Sequence, residues 1–407
     1  MRIGLDIRAL QTYHRYRGIG IVVSAILEMI QPTDNDHLVL YRYDHDAPES
    51  SLALPEGLSW EVVSLGKPPA QALVHALIGT VRPRSRLDVS AQRLDVFLQP
   101  DSANGMPVGA PVVTVGYDLI PLVFSEQYLP RLTLSELRRL GPKGLAGGYL
   151  RAYLYRWQLR QLASADLVIA ISEATRRDLV KYLPQLAAGR VKVIPLAANA
   201  DYEPTEERTA QSKYGVTKPY LLYTGGVDFR KNVNGLIDAF HRLRPSRDCQ
   251  LVLIGKDFVA DEARDQKALA RRLDESPYAA DIIRPGFISN RELAQLYSGA
   301  VAFVFPSLYE GFGLPVLEAM ASGCPVVTYD NSSLPEVAGE AALLLGQQDD
   351  LAAALDELLS NDERRAWMRD AGLKQAAQFT WPATVDRMMS AIRDAALAVR
   401  AGKGPQS

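Results

Sequence analysis

Short runs of Val, Ile and Leu alternate with longer stretches of helical spacing along the whole chain. In the first half the runs are IGLDI, LVLYRY, WEVVSL, DVFLQP, PVVTV, DLVIAIS and VKVIPL. A polar stretch with neither period runs from Asn199 to about Lys218 and reads as structureless. The pattern then restarts with YLLYTGG, QLVLIG, DIIRPGF, AVAFVFPS, PVVTYD and AALLLG. These runs are continuous rather than alternating, so both faces of each strand are covered, as in a parallel sheet packed between helices. The pattern predicts two Rossmann-like, doubly wound α/β domains, residues 1–200 and 201–380. A further helix, WPATVDRMMSAIRDAALAV, and a tail fill 381–407, and the helix is expected to pack back on one of the two domains. Only the tail, RAGKGPQS, has the composition of a disordered segment.

A length of 407 residues agrees with two cores, since single cores stop growing at roughly 250 to 300 residues. Sheets of this class bind ligands outside the carboxyl ends of their strands. The site is therefore expected in the cleft between the domains, on residues that directly follow strands. YTGGVDFRKNVNGLIDAF is one such place. Gly225 and Gly226 allow a ligand close to the backbone, Arg230 and Lys231 supply two cations, and Asn232 or Asn234 is expected to cap the next helix. That combination suits a diphosphate; a tight turn with a solvated basic pair fits the same residues.

VAFVFPSLYEGFGLPVLEAM carries more. Gly311 and Gly313 leave room for an anion, and Pro315 suits a first helical turn, so the amides of Phe312, Gly313 and Leu314 point outward as helix N-terminal donors. Glu310 sits where it would repel an anion, which makes sense if it grips hydroxyls. Glu318, on the helix, is placed to accept two hydrogen bonds from a vicinal diol. The plainer alternative is that Glu318 complements the helix dipole and Glu310 is solvated. Near the amino terminus YRGIGIVV follows the first strand, with Gly18 and Gly20 opening a helix and Val23 where a dinucleotide fingerprint needs its third glycine.

Taken together and in this order, FRKN, PSLYEGFGLPVLEAMASGCPVV, ISEATRRDL and VIPLAAN resemble the retaining glycosyltransferases of family 4, which have the GT-B architecture. The resemblance runs from MRIGLDIRALQTYHRYRGIG to about Thr384. It implies that Arg230 and Lys231 hold the diphosphate of a nucleotide-sugar donor, that the amides of Phe312, Gly313 and Leu314 contact phosphate and sugar, and that Glu310 contacts the transferred sugar. It further implies that Glu318 binds the ribose, that Phe287 and Ile288 of PGFISNREL frame the base, and that Gly18 and Gly20 approach the donor from the first domain. The reaction it implies is metal-independent transfer of a hexose to a glycan or lipid-linked acceptor in cell-surface polysaccharide synthesis. GDP-mannose is the expected donor, with a UDP-linked sugar or a non-catalytic sugar-nucleotide-binding protein as alternatives. One departure stands out: relatives carry a His-Asp pair after the fifth strand, whereas VVTVGYDLIP places Tyr117 before Asp118. A phenol with its usual pKa of about 10 is a poor base at neutral pH. Tyr117 is kept as a candidate catalytic residue that hydrogen-bonds a hydroxyl; a packed aromatic fits as well.

Other features narrow the classes. Asp44 and Asp46 form a DxD that could chelate a divalent cation, but the basic pair already serves a diphosphate, so neither metal nor other cofactor is expected. The five histidines have no zinc spacing. A net charge of −2 gives no pull toward nucleic acid. From Arg131 to Arg160 seven basic residues and one acid alternate with Leu, Tyr and Trp, which fits peripheral contact with an anionic membrane. Two cysteines without CxxC spacing, a charged start and no long apolar run point to a cytoplasmic protein without signal peptide or membrane span. The charged start also counts against a periplasmic sugar-binding protein, and the motif set lacks the acid and base carboxylates of an epimerase.

Overall fold

A computed structural model describes residues 1–12, 15, 18–31, 36–44, 54–66, 87–129, 134–186, 188–259 and 264–401. The chain divides into two compact units, Met1–Leu196 with Trp381–Ser407, and Ala197–Thr380.

In the first unit β1 (Arg2–Asp6), β2 (His37–Arg42), β3 (Ser59–Ser64), β4 (Val96–Gln99), β5 (Val112–Gly116), β6 (Leu167–Ala170) and β7 (Val191–Val193) form one sheet in the order β3-β2-β1-β4-β5-β6-β7. Every pairing is parallel. β4 and β5 bury every residue because helices cover both faces, whereas β3 at the edge is part-exposed. The order reverses between β1 and β4, which leaves a crevice at their carboxyl ends.

The second unit repeats the plan with β8 (Tyr220–Thr224), β9 (Gln250–Ile254), β10 (Ile282–Gly286), β11 (Ala302–Phe305), β12 (Val326–Tyr329) and β13 (Leu343–Leu345), in the order β10-β9-β8-β11-β12-β13. Pro285, which cannot donate to a ladder, lies in the edge strand β10. Here the reversal falls between β8 and β11, the strands that precede the two richest loops of the sequence. All strands of both sheets fall on the apolar runs read from the sequence.

The polar stretch before β8 is a correction. It contains a helix, Thr209–Tyr214, ended by Gly215 at φ 71°. Its anchors are polar: Gln211 Nε2 donates to Gln295 O at 2.7 Å and to the Tyr220 hydroxyl at 3.2 Å, while Gln295 Oε1 accepts from the Ala210 amide at 2.8 Å. A helix held this way leaves no apolar period to read.

The helix Trp381–Arg400 belongs to the first unit. It buries Trp381, Val385, Met388, Met389 and Ile392. Arg393 pairs with Asp36 at 2.7 Å, Asp394 with Lys192 at 2.8 Å, and Arg400 with Asp95. The long helix Leu134–Ser164 exposes Leu150, Arg151, Tyr153, Arg156 and Arg160. Arg131, Asp46 and the tail 402–407 lie outside the described residues, as do the side chains of Arg138, Arg139 and Lys143. Among the described residues no helix is long and apolar enough to cross a membrane. Cys249 and Cys324 are buried thiols.

Candidate active site

The loops after β8 and β11 meet at the reversal of the second sheet. After β8 the backbone turns through Gly225, at φ 148°, which a side chain would rarely adopt. A Cβ there would come within 2.8 Å of the Tyr223 hydroxyl. Asp228 accepts from the Arg230 amide at 3.1 Å and opens the short turn Phe229–Lys231. Asn232 does not cap the next helix, Val233–Leu243, as expected: it stands at the N-cap position with φ 50°, and its Nδ2 donates to the Tyr329 hydroxyl at 3.3 Å instead. Asn234, likewise, accepts from Arg272 at 2.5 Å. The Leu308 amide donates to Arg230 O at 2.6 Å, so the two loops are joined through the backbone.

Three of the predicted residues converge there. Glu310 is buried, 8% exposed, and its Oε1 accepts from Lys231 Nζ at 2.6 Å, Arg230 Nη1 at 3.0 Å and Ser307 Oγ at 2.6 Å. The solvated alternative for Glu310 is thereby excluded. Lys231 Nζ also lies 4.6 Å from the centre of the Phe305 ring. Burial lowers the proton affinity of Lys231 below the usual lysine range, and Glu310 opposes that shift.

Gly313, at φ 109°, is the N-cap of the helix Leu314–Ala321, with Pro315 in its first turn. A Cβ on Gly313 would meet Leu334 Cδ2 at 3.0 Å. Among the described residues the amides of Phe312, Gly313 and Leu314 have no acceptor. They remain as donors beside the Arg230, Lys231 and Glu310 cluster.

Glu318 is partly buried on the same helix, and among the described residues its carboxylate has no hydrogen-bond or ion-pair partner. Burial raises its pKa to about 7. The phenols of Tyr202 and Tyr297, whose own proton affinities rise through burial and then through Glu318, donate elsewhere: to Asn290 Oδ1 at 3.3 Å and Pro315 O at 3.4 Å. Phe287, 82% exposed, follows β10, while Ile288 beside it is buried. Gly226, further along the first loop, lies with its O accepting from the Tyr223 hydroxyl at 2.7 Å.

The first unit holds the remaining candidates. Gly18 and Gly20 lie in the first turn of the helix Gly18–Met29, and a Cβ on Gly18 would touch the Tyr117 ring at 3.9 Å. The Tyr117 hydroxyl is buried without a hydrogen-bond partner. Burial, and then Asp101, hold its proton well above the usual tyrosine range, so the phenol stays protonated at neutral pH. Of the DxD, Asp44 accepts from Ser64 Oγ. Among the described residues no cluster of His, Cys, Asp and Glu could hold a metal.

The sequence reading missed Ser307 and the segment Asn331 to Ser333. Asn331 Nδ2 donates to Ser307 O at 3.0 Å, the Glu310 amide donates to Ser332 Oγ at 2.9 Å, and Ser333 Oγ donates to Phe312 O at 2.7 Å and Glu310 O at 3.0 Å. These residues directly follow β12, so the rule that found the other loops also pointed here.

Residues 205–375, within the second unit, match the family described as glycosyl transferases group 1. The O-antigen chain mannosyltransferase B of Escherichia coli is 32% identical over 247 residues, 59% of this chain and 64% of that protein. The alpha-maltose-1-phosphate synthase of Mycobacterium tuberculosis is 30% identical over 284 residues, 64% of this chain and 71% of that protein. Among solved structures, sucrose-phosphate synthase from Thermosynechococcus elongatus superposes with a TM-score of 0.68 at 20% identity, covering 97% of this chain and 98% of that one. That likeness concerns the fold, two parallel-sheet units of the GT-B class.

Proposed function

The chain belongs to the glycosyl transferases group 1, and from that premise we propose that it is a retaining, metal-independent family 4 enzyme that transfers mannose from GDP-mannose to a glycan or lipid-linked acceptor in cell-surface polysaccharide synthesis. The mannosyltransferase name of the Escherichia coli relative supports the choice of sugar. The observation that carries a nucleotide-sugar donor is the Glu318 carboxylate. Partly buried, without a partner among the described residues and raised to about 7, it is unfavourable to the empty fold at neutral pH and gains hydrogen bonds from a ribose diol.

The rest of the site fits the same donor. The diphosphate lies over Arg230, Lys231 and the amides of Phe312, Gly313 and Leu314, and the two cations exchange Glu310 for phosphate oxygens. The bond from the anomeric carbon to the diphosphate then breaks, and positive charge on the ring develops beside the Glu310 carboxylate. The acceptor oxygen bonds to the anomeric carbon on the face the diphosphate leaves, and its proton passes to the departing diphosphate. Tyr117 contributes a hydrogen bond to a hydroxyl. Phe287 and Ile288 frame the base. The enzyme works on the cytoplasmic side, with the exposed arginines of the long helix toward an anionic membrane surface.

Thermal shift with GDP-mannose, GDP and UDP-glucose tests the donor, because a ligand that binds the native state raises the melting temperature. GDP-mannose and GDP are expected to raise it and UDP-glucose to leave it unchanged. A shift with UDP-glucose alone overturns the donor assignment, and no shift with any of the three overturns the site.

A further inference from the structure

We propose that Ser333, with Asn331 and Ser332, is the device that positions Glu310 for the reaction. The inference rests on the reading that Glu310 acts on the transferred sugar. The loop Ser307 to Phe312 has no regular secondary structure of its own, yet it must present one carboxylate at a fixed place. Four of its backbone groups are held by three consecutive side chains that follow the neighbouring strand β12: Ser307 O by Asn331, the Glu310 amide by Ser332, and both Glu310 O and Phe312 O by Ser333.

The segment is built for that task. Ser333 is fully buried, so its hydroxyl has no solvent alternative and its direction is set by the loop carbonyls. Ser332 adopts φ 48°, a left-handed conformation that a serine takes at a cost, and there its Oγ accepts from the Glu310 amide while donating to Asn331 Oδ1 at 2.9 Å. The bonds to Glu310 grip both its amide and its carbonyl, which fixes the Cα and hence the line along which the carboxylate projects. The carboxylate itself is gripped independently by Ser307, Arg230 and Lys231. When a diphosphate takes the two cations, the Ser307 hydroxyl and the backbone grip from β12 are what remain to keep Glu310 in place.

Two measurements test this, each on the full chain. The first is steady-state turnover of GDP-mannose by Ser333→Ala, Glu310→Gln and the double variant, with melting temperatures to certify folding. Ser333→Ala is expected to lower kcat about tenfold with the donor KM within about twofold, as for a contact used only in the transition state. In the Glu310→Gln background the same change is expected to alter kcat less than about twofold. Losses that multiply in the double variant overturn the proposal while leaving the function intact; a Glu310→Gln enzyme with normal kcat overturns the function reading instead. The second is a pair of crystal structures with GDP bound, wild type and Ser333→Ala, which needs no turnover. A Glu310 carboxylate displaced in the variant from its wild-type position supports the proposal, and one in the same position overturns it.

Discussion

Lys231 and Glu310 face each other at 2.6 Å, with the lysine ammonium against the Phe305 ring and the Glu310 side chain 11% exposed. Each is the other's compensation for burial. Glu310→Gln takes the carboxylate from Lys231, which is largely desolvated, while Arg230 keeps its pair with Asp228 at 3.5 Å, so the variant is expected to melt below the wild type as well as to lose activity. Its kcat is expected to fall at least about a hundredfold, the scale for one preorganised electrostatic group. Calorimetry and steady-state kinetics check the two effects; a variant with wild-type kcat removes Glu310 from the chemistry.

In the proposed mechanism Arg230 and Lys231 carry the charge that a divalent cation would otherwise supply to the diphosphate. Turnover is expected to persist in EDTA, and Lys231→Met is expected to cut kcat by two orders of magnitude, about 3 kcal/mol in the barrier. Abolition by EDTA with recovery on adding Mn²⁺ refutes this.

Glu318 gives a pH dependence of definite sign. Its folded pKa of about 7 lies above the value of about 4.3 for an unfolded chain, so the folded state holds the proton more tightly. The penalty of a buried carboxylate is absent below the unfolded value, grows as pH rises, and is complete above about 7. Glu318→Gln is therefore expected to raise the melting temperature at pH 8, about one unit above that value, and to leave it unchanged in acid. In the same variant the donor KM is expected to rise about tenfold at pH 8 with kcat little changed, as for a charged hydrogen bond worth roughly 1.5 to 3 kcal/mol. Melting curves and donor titrations across pH decide it, and a variant less stable than wild type at pH 8 contradicts the assignment.

Phe287 presents 82% of its surface to solvent directly after β10. In the proposed donor site this ring stacks the base, a contact of roughly 1 to 3 kcal/mol. Phe287→Ala is expected to raise the GDP Kd between about fivefold and a hundredfold without lowering the melting temperature. Equal GDP affinity in the variant and the wild type removes Phe287 from the site.

Leu150, 39% exposed, and Tyr153, 59% exposed, are solvent-facing on the long helix, as are Arg151, Arg156 and Arg160. Binding to anionic vesicles is expected to weaken as salt shortens the range of about 1 kcal/mol per basic residue. Arg156→Glu with Arg160→Glu should weaken it further and leave turnover of a soluble acceptor unchanged. Equal binding to uncharged vesicles rules out the electrostatic attraction.

The strands were legible because burial on two faces demands unbroken Val, Ile and Leu, and that demand is written locally. The helix at Thr209–Tyr214 was hidden because Gln295, some 85 residues away, anchors it through polar contacts. The same distinction runs through the site. Gly313, Pro315 and Glu318 announce a helix entrance with a carboxylate one turn inside, all within one segment. That Glu310 is held by Arg230 and Lys231, with a sequence separation of 80 and 79, is a property of two loops brought together by β8 lying beside β11. Ser333 went unread because a serine after a strand has many uses, and only the position of the neighbouring loop selects one.

The helix Trp381–Arg400 completes the first unit although the whole of the second unit precedes it in the sequence. Domains commonly fold in the order in which they leave the ribosome. Here the order is inverted: Ala197–Thr380 is complete while the first unit still lacks the side chains of Val385, Met388, Met389 and Ile392 that cover its sheet. Until those residues emerge, the amino-terminal half has that apolar face uncovered.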